Sequence, residues 1–299
     1  MQRNLISTKG LSRKDILAIF KRADELRSTK LQSEVNTSKL GGLLFFEAST
    51  RTRVGFEAAA WKLGINSVVI QETKFSQNMG QAESMRDTIG SLNPIVSFYC
   101  IRHPDEDIFN EVLNFTDLPV INCGNGFVEH PTQALITAYA IWHKFKTLDG
   151  LSITMIGELK YARAVHSLLL LLSKFSNVTI NAVTPTLLNV QDEYKKVFEV
   201  NGNIFKLVKK HTWGNEDVVY SSGFPPKNPI GTFSQKERDK YKLSTQIAEK
   251  LSEDAIILND LPRIDEIDLE VDNSTHAYYF MQNELGLYVR MAILQIFCY

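Results

Sequence analysis

The sequence predicts an α/β protein with two doubly wound, parallel-sheet domains, and three observations lead to this fold class. Short apolar runs alternate with segments of helical spacing along the whole 299-residue chain. One strand–helix–strand unit is predicted within residues 40–71, and SITMIG, ARAVHSLLLLLSKF and VTINAV form a second within residues 152–183. Strands that alternate with helices form parallel sheets covered on both faces. With 44% hydrophobic residues, the chain can also bury two sizeable cores.

The individual elements follow from local signals. Ser12 precedes RKDILAIFKRADELR, whose apolar positions recur at helical spacing, so a capped amphipathic helix is predicted. The run LGGLLFFEA ends in small polar residues, which is typical of a buried parallel strand. A helix is expected to follow the loop GNGFVEHPTQ, and we place the domain boundary there. The predicted domains are residues 1–132, completed by a last helix near Glu284–Phe297 within residues 284–299, and residues 133–283.

Composition and charge exclude several classes of function. The formal net charge is −1, which gives no general attraction to nucleic acid or to an anionic membrane. The N-terminus lacks the apolar core of a signal peptide, and the longest apolar runs are too short to cross a bilayer. Cys100, Cys123 and Cys298 are odd in number and lack metal-ligand spacing, so neither disulfides nor a metal site is expected. We therefore expect a soluble cytoplasmic protein.

The strongest functional signal is Ser49-Thr50-Arg51-Thr52-Arg53, between a predicted strand and a predicted helix. A strand-to-helix turn presents free backbone N–H groups and the positive end of the helix dipole, which together favour a phosphate. The hydroxyl and guanidinium side chains of this segment add further donors, and guanidinium groups bind phosphate in bidentate geometry. The alternative is an ordinary N-cap followed by solvated arginines. Capping explains one hydroxyl but not the pair of arginines.

Two further segments place polar groups at expected strand ends. Arg102-His103-Pro104 follows the apolar run IVSFYCI, and His130-Pro131-Thr132-Gln133 opens a predicted helix. Ligands of open α/β sheets bind at the carboxyl ends of the strands. The imidazole of His130 and the amide of Gln133 can polarise a carbonyl group. Each segment alone is a weak signal, because a single histidine is more often structural, but their coincidence at strand ends indicates a site.

These segments belong to a longer series that resembles the catalytic chains of the aspartate carbamoyltransferase family. Six segments occur in the order and nearly the spacing of that family: FFEASTRTR, IRHP, EHPTQAL, GELKYARAVHSL, LPRIDEI and YYFMQNELGLYVRMAIL. The related ornithine enzymes would carry a His-Cys-Leu-Pro segment where this chain has Asn259-Asp260-Leu261-Pro262-Arg263. The resemblance therefore favours the aspartate branch and implies a carbamoyltransferase fold.

The resemblance implies a reaction in which an amine attacks the carbonyl carbon of carbamoyl phosphate and phosphate leaves, without a cofactor. The first domain would bind carbamoyl phosphate. Its phosphate group would contact Ser49, Thr50, Arg51 and Thr52, and its carbamoyl group would contact Thr52, Arg102, His130 and Gln133. The catalytic set would be Arg51, Thr52, Arg102, His130 and Gln133.

The second domain would bind the acceptor amino acid. By its position in the family pattern, Arg163 would hold the acceptor's α-carboxylate, and the Leu261–Pro262 bend, with a cis peptide bond, would line the pocket. Glu47 and Arg263 would form structural ion pairs. The same resemblance implies a place in pyrimidine biosynthesis, and it leaves open whether a regulatory chain binds.

The resemblance also implies a homotrimer with shared active sites, in which a mobile loop of one chain completes the site of its neighbour. In the family that loop carries a serine and a lysine, and here Gln77 and Gln81 stand at those positions. Glutamine donates hydrogen bonds but cannot neutralise an anion. Lys74 and Ser76 lie close enough in sequence to act as substitutes.

The expected acceptor pocket departs from the family at two further places. Gly223 stands where the family has an arginine for the aspartate side chain, and Pro225 stands in place of a glutamine. Lys227 is the nearest cation in the sequence. Asn259-Asp260 replaces a His-Pro pair and adds a carboxylate beside the pocket. Ordinary affinity for aspartate is therefore not expected.

Three hypotheses follow. The first is an active carbamoyltransferase for which aspartate is not an acceptor or is an inefficient one, favoured because Ser49–Arg53, Arg102, His130, Gln133 and Arg163 are all retained. The second is a non-catalytic or regulatory paralogue that keeps the fold and the trimer, favoured by the loss of the loop lysine. The third is a divergent aspartate enzyme in which Lys74 and Lys227 act as replacements.

Overall fold

Two compact units divide the chain in the computed structural model. Unit 1 consists of Met1–Leu135 and Leu285–Tyr299, and unit 2 of Ile136–Glu284. In both units strands alternate with helices, and the predicted fold class, two parallel-sheet α/β bodies, is confirmed. The residues that the structure describes are 4–29, 38–71 and 83–299.

Unit 1 is built on a parallel sheet whose strands are β1 (Leu40–Phe45), β2 (Asn66–Ile70), β3 (Phe98–His103) and β4 (Val120–Asn125). Their order in the sheet is β2-β1-β3-β4. From β1 the chain goes to one side to form β2 and then returns to the other side to form β3. The strand order therefore reverses between β1 and β3, and the sheet has its topological switch point there.

The helices that begin before residue 135 are α1 (Arg13–Ser28), α2 (Thr50–Lys62), α3 (Met85–Leu92), α4 (Ile108–Val112) and α5 (Pro131–Phe145). The predicted start of α1 is confirmed by a capping box. The Ser12 hydroxyl accepts from the Asp15 N–H at 3.2 Å, and the Asp15 carboxylate accepts from the Ser12 N–H at 3.0 Å. The buried face of α1 carries Ile16, Ile19 and Phe20.

The strands that follow residue 150 are β5 (Ser152–Gly157), β6 (Thr179–Val183), β7 (Ile204–Leu207), β8 (Val218–Gly223), β9 (Lys227–Asn228), β10 (Gly231–Thr232) and β11 (Ile256–Asn259). Five of them form the parallel sheet of unit 2, in the order β11-β8-β5-β6-β7, and β9 and β10 form a short hairpin. Here the chain builds β6 and β7 on one side of β5, then β8 and β11 on the other. The switch point of this sheet lies between β5 and β8.

The later helices are α6 (Arg163–Leu172), α7 (Asp192–Phe198), α8 (Gln235–Arg238), α9 (Thr245–Ala248) and α10 (Tyr279–Cys298). Short 3-10 helices cover Thr8–Gly10, Thr186–Leu188, Asp239–Tyr241 and Leu269–Asn273. None of the helices in the described ranges is long and apolar enough to cross a membrane.

These bounds add one observation and correct one sequence prediction. β8 extends through Ser221 to Gly223, because these residues pair with β5 and β11 despite their lack of apolar side chains. The last helix begins at Tyr279 rather than Glu284. Its start is fixed by the fully buried Tyr279 side chain and by the Gln282 N–H, which donates to the carbonyl of Tyr278 at 2.8 Å.

Candidate active site

The switch point of the unit 1 sheet gathers groups from distant parts of the sequence. β1 ends at Phe45, and the chain enters α2 only four residues after Phe46. Arg102 pairs with Phe45 across the sheet, and its carbonyl accepts from the Phe46 N–H at 2.9 Å. The turn that carries Ser49 and the end of β3 that carries Arg102 therefore lie at the same sheet edge.

The turn before α2 begins with a hydroxyl that does not cap the helix. Ser49 precedes the helix, but its hydroxyl makes no capping hydrogen bond, and its φ of −158° and ψ of 86° are not those of a standard cap. The N-cap alternative therefore fails for this hydroxyl. Thr50 is exposed, whereas Thr52 is buried. The first N–H groups of a helix have no partner within it, so this turn offers backbone as well as side-chain donors.

Two arginines near this turn, Arg53 and Arg102, form ion pairs with glutamates of the chain. Arg53 bonds to Glu57 one helical turn further on, with 2.7 Å between Nη1 and Oε1, so its guanidinium is held along α2. Arg102 bonds to Glu47, with 3.2 Å between Nη2 and Oε1. The prediction of a structural ion pair for Glu47 is confirmed. Because Glu47 lies between β1 and Ser49, the pair holds the Arg102 guanidinium beside the turn.

His130 and Gln133 lie at the start of α5. The His130 carbonyl accepts from the N–H groups of Gln133 and Ala134, both at 3.1 Å, so His130 begins the helix. The His130 side chain is buried, and its Nδ1 lies 3.2 Å from the Thr132 hydroxyl. The preceding residue, Glu129, accepts from the N–H of Asn125 at 3.1 Å, so His130 follows directly from the carboxyl end of β4.

His103, by contrast, has a local structural role. The Asp105 N–H donates to His103 Nδ1 at 3.0 Å, and the ring packs edge-on against Phe46. Burial lowers the pKa of His103 below its ordinary value of 6.5. A neutral ring that accepts at Nδ1 fits a turn-forming residue rather than a cation.

The switch point of unit 2 carries the groups predicted for the acceptor. Arg163 is the first residue of α6, directly after the loop that follows β5. Glu158, the residue after β5, is only 5% exposed, and its Oε1 accepts from the Tyr161 N–H at 2.7 Å. Burial raises the pKa of Glu158 to about 7, although this hydrogen bond opposes the rise. Glu158 was not singled out from the sequence, where a lone carboxylate gives no signal.

The bend after β11 is as predicted. The Leu261–Pro262 peptide bond is cis, and Leu261 has a φ of 51°. The Leu261 N–H donates to Asn259 Oδ1 at 2.6 Å, and Asn259 Nδ2 donates to the Ser221 carbonyl at 3.0 Å. The side chain of Asn259 therefore ties the bend to the neighbouring strand β8.

The carboxylate of Asp260 is held by side chains of unit 2. Its carboxylate was expected to add a negative charge to the acceptor pocket. In the structure it accepts from Tyr220 Oη at 2.5 Å, from Gln282 Nε2 at 3.0 Å and from Thr137 Oγ1 at 3.2 Å. With three donors on its two oxygens, Asp260 is a structural acceptor within unit 2.

The two positions considered for the acceptor's side chain differ in their surroundings. Gly223 has a φ of 81°, and a Cβ there would lie 3.3 Å from Glu266 Oε1, so this position favours glycine over arginine. Lys227 is exposed in the β9–β10 hairpin. The loop positions Lys74, Ser76, Gln77 and Gln81 lie outside the described residues.

An ion pair that the sequence analysis missed lies between the segments that follow β8 and β11. Arg238 Nη1 donates to both oxygens of Asp265, at 2.6 and 2.7 Å, and Gln235 Nε2 donates to Asp265 at 2.9 Å. The sequence offers only Ser234-Gln-Lys-Glu237, a capping-box pattern that marks the start of α8 and does not point to Asp265 as a partner. Arg263 is likewise bonded to Asp272, so its predicted ion pair is confirmed.

The fold and the site together define the class of protein to which the chain belongs. The chain is a two-unit α/β protein in which each parallel sheet has polar groups at its switch point, with anion donors in unit 1. No cluster of three or more potential metal ligands occurs in residues 4–29, 38–71 and 83–299.

Comparison with known proteins identifies the family. The model for the aspartate/ornithine carbamoyltransferase carbamoyl-P binding domain matches residues 3–143, and that for the Asp/Orn binding domain matches residues 149–297. The chain therefore belongs to the aspartate/ornithine carbamoyltransferase family, and it is a carbamoyltransferase. It is similar to aspartate carbamoyltransferase catalytic subunits, as the six segments predicted. Identity to that of Picrophilus torridus is 37%, covering 98% of this chain and 97% of the relative.

Solved structures agree with this assignment. The catalytic subunit of Methanocaldococcus jannaschii aspartate transcarbamoylase has a TM-score of 0.88 and 31% identity, covering 99% of this chain and 98% of that chain. Aspartate transcarbamoylase from Trypanosoma cruzi, in complex with carbamoyl aspartate and phosphate, has a TM-score of 0.87 and 30% identity, covering 97% and 94%.

Proposed function

We propose that the chain transfers the carbamoyl group of carbamoyl phosphate to the amine of an amino acid. The observation that carries this proposal is the turn before α2, where the Ser49 hydroxyl is not used for capping and Arg51 and Thr52 follow. Such a turn suits a phosphate group. The Trypanosoma cruzi relative, solved with carbamoyl phosphate and aspartate, supports the same class of reaction.

In this proposal unit 1 binds carbamoyl phosphate. Its phosphate oxygens accept hydrogen bonds from Ser49, Thr50, Arg51 and Thr52. Its carbonyl oxygen accepts from Thr52, Arg102, His130 and Gln133, and these donors stabilise the charge that grows there as the amine attacks. The ion pair with Glu47 restrains Arg102, so little reorganisation accompanies the reaction. Binding both substrates together lowers the entropic part of the barrier.

Unit 2 binds the acceptor, and we propose that the acceptor site is altered. Arg163 binds the α-carboxylate, and the Leu261–Pro262 bend lines the pocket. Arg238 and Arg263, in the segments that follow β8 and β11, are already bonded to carboxylates of the chain. A second acceptor carboxylate would then be buried without a matched cation, which is costly. The acceptor is an amino acid with one carboxylate and a neutral or cationic side chain, and aspartate is a poor substrate.

Aspartate itself is the second candidate acceptor. Relatives named aspartate carbamoyltransferase match nearly the whole chain, for example at 37% and 33% identity. In that case a cation from Lys227 or Lys74 has to reach the acceptor. A non-catalytic or regulatory role is the third possibility, and the experiment below separates all three.

The test is phosphate release from saturating carbamoyl phosphate with a panel of amino acids, including aspartate, asparagine and lysine. We expect turnover with acceptors that have one carboxylate. Aspartate turnover with a Michaelis constant at or below about 1 mM would contradict the altered acceptor site. Phosphate binding without turnover of any acceptor would indicate the non-catalytic paralogue.

The phosphate site has its own test. Arg51→Ala should weaken binding of carbamoyl phosphate or inorganic phosphate at least about tenfold, because it removes a charged partner. Arg53→Ala is the matched control, since Arg53 is bonded to Glu57, and it should leave affinity within about twofold. Equal affinity of the wild type and the Arg51 variant would exclude this assignment.

The resemblance also supports a homotrimer as the working assembly. A ring of three chains with heterologous contacts closes without further partners. Light scattering at micromolar concentration should give the mass of three chains, and a monomer would contradict the proposal. If a regulatory chain binds, the assembly isolated from cell extracts should have a mass greater than that of three chains.

A further inference from the structure

Arg290 is a buried cation without a counter-ion in the described parts of the chain. It lies on α10, in the part that belongs to unit 1, among the fully buried side chains Val289, Met291 and Ala292. Only 4% of Arg290 is exposed, and its Nε has no hydrogen-bond partner. Arginine is rarely buried without a carboxylate, because removing a guanidinium group from water is costly.

The Arg290 guanidinium packs against the second turn of α2. A Cβ built on Gly55 would lie 2.7 Å from Cζ and Nη1 of Arg290 and 2.8 Å from its Nε. The ring of Phe56 lies 5.9 Å from the same Cζ. Gly55 thus leaves room for the guanidinium directly behind the helix whose first turn carries the phosphate donors.

The charged group that acts on Arg290 from α2 is another cation. Arg51 lies one helical turn before Gly55, on the same side of α2. The positive charge of Arg51 disfavours the charged form of Arg290, and so does the burial of Arg290 itself. Burial, the larger cause, lowers the pKa of Arg290 to about 10, so the group still carries its charge at neutral pH. Cys123 on β4 is the other group that acts on it, and it is not a carboxylate.

We infer that Arg290 is a positioning residue of the phosphate site: it repels Arg51 from behind and so directs the Arg51 guanidinium toward the bound anion. The repulsion between two like charges is unfavourable, and a bound phosphate dianion offsets it. Arg290 therefore increases anion affinity without touching the ligand. This inference rests on the phosphate site proposed above.

The test is calorimetric titration of inorganic phosphate into the wild-type chain and three variants. Arg290→Met removes the charge but keeps an apolar side chain of similar length, and it should raise the Kd for phosphate about tenfold. Arg290→Lys keeps the charge and should restore affinity to within about threefold of wild type. Arg22→Met is the control, because Arg22 also contacts α10, through Gln295, but is partly exposed and bonded to Glu25, and it should leave the Kd for phosphate unchanged.

A purely structural role predicts a different pattern, namely a lower melting temperature with an unchanged Kd. We expect the opposite for Arg290→Met: a melting temperature equal to or above that of wild type without phosphate, and a smaller rise when phosphate is added. If Arg290→Met does not fold, Gly55→Ala decides, because the added Cβ displaces the guanidinium while keeping its charge and should also weaken binding.

The two proposals fail in distinguishable ways. If Arg51→Ala binds phosphate as wild type does, the phosphate site itself is wrong. If Arg51→Ala weakens binding but Arg290→Met, or Gly55→Ala in its place, leaves the Kd unchanged, the phosphate site stands and only the role of Arg290 is overturned.

Discussion

The backbones of Gly157 and Gly223 are in direct contact where β5 and β8 end. A Cβ on Gly157 would lie 2.3 Å from the carbonyl oxygen of Gly223, and the Glu158 N–H donates to that same oxygen at 2.7 Å. Both glycines have positive φ, 114° and 81°. The loops that follow β5 and β8 therefore begin at a close backbone contact that has no space for a side chain on Gly157.

Gly157→Ala should accordingly be one of the more damaging small substitutions in unit 2. The methyl group meets backbone atoms that cannot rotate away, and the positive φ adds strain, so we expect a loss of about 2–4 kcal/mol in the free energy of unfolding. Gly150→Ala is the control, since Gly150 also has positive φ, 74°, but open space around it. Its cost should be about 1 kcal/mol. If urea unfolding gives the same loss of stability for Gly157→Ala and Gly150→Ala, the close contact between Gly157 and Gly223 does not contribute to the free energy of unfolding.

Ser49→Ala and Ser12→Ala should have opposite effects. Ser12 caps α1 with its hydroxyl, so its loss should cost about 1 kcal/mol of stability and leave phosphate affinity unchanged. Ser49 caps nothing, so its loss should leave the melting temperature unchanged and weaken phosphate binding. Calorimetry and thermal unfolding on the same two variants test this. A stability loss in Ser49→Ala would mean that its hydroxyl has a structural partner.

Glu158 should make stability depend on pH in the neutral range. Its pKa is raised from 4.5 to about 7 in the folded chain, so the folded state favours the proton. The stabilisation is fully present below pH 4.5 and is lost as the pH rises through 7, with a total of about 3 kcal/mol. Glu158→Gln has no such proton, and its stability relative to wild type should therefore rise between pH 5 and 8. A constant difference across that range would contradict the raised pKa.

Asp260 should matter for stability and not for acceptor choice. Asp260→Ala leaves the buried Tyr220 hydroxyl without its acceptor and should cost about 3 kcal/mol. Asp254→Ala, at a carboxylate that is 85% exposed, should cost less than about 1 kcal/mol. Asp260→Asn should leave the ratio of aspartate to asparagine turnover unchanged. An increase in aspartate turnover in that variant would mean that the Asp260 charge reaches the acceptor after all.

The parts of the fold that sequence predicts well are those with strong local patterns. β1 and β5 are short apolar runs, and α1 has both a cap and helical spacing, so each lies where it was expected. Ser221 and Ser222, at the end of β8, give no apolar signal. Their place in the strand comes from pairing with β5 and β11, which a local pattern does not contain.

The site shows the same division between local and long-range information. The donors of the turn before α2 are contiguous in sequence, so the motif alone indicates a phosphate. The partners of Asp260 and Arg238 are not, since Thr137 and Gln282 lie far from Asp260 in the chain, and Asp265 lies far from Arg238. Where a charged side chain is held depends on such distant partners, and a local sequence pattern does not contain them.

The division of the chain has a consequence for the order of events during synthesis. Unit 2 is a single continuous stretch, Ile136–Glu284, whereas unit 1 needs Leu285–Tyr299 as well as the beginning of the chain. Ribosomes release residues in order, and domains generally fold as units once their residues are available. The second unit to be translated is thus the first that can be completed. A chain truncated after residue 284 should show protease resistance in unit 2, while unit 1 lacks Arg290 and the rest of its closing helix.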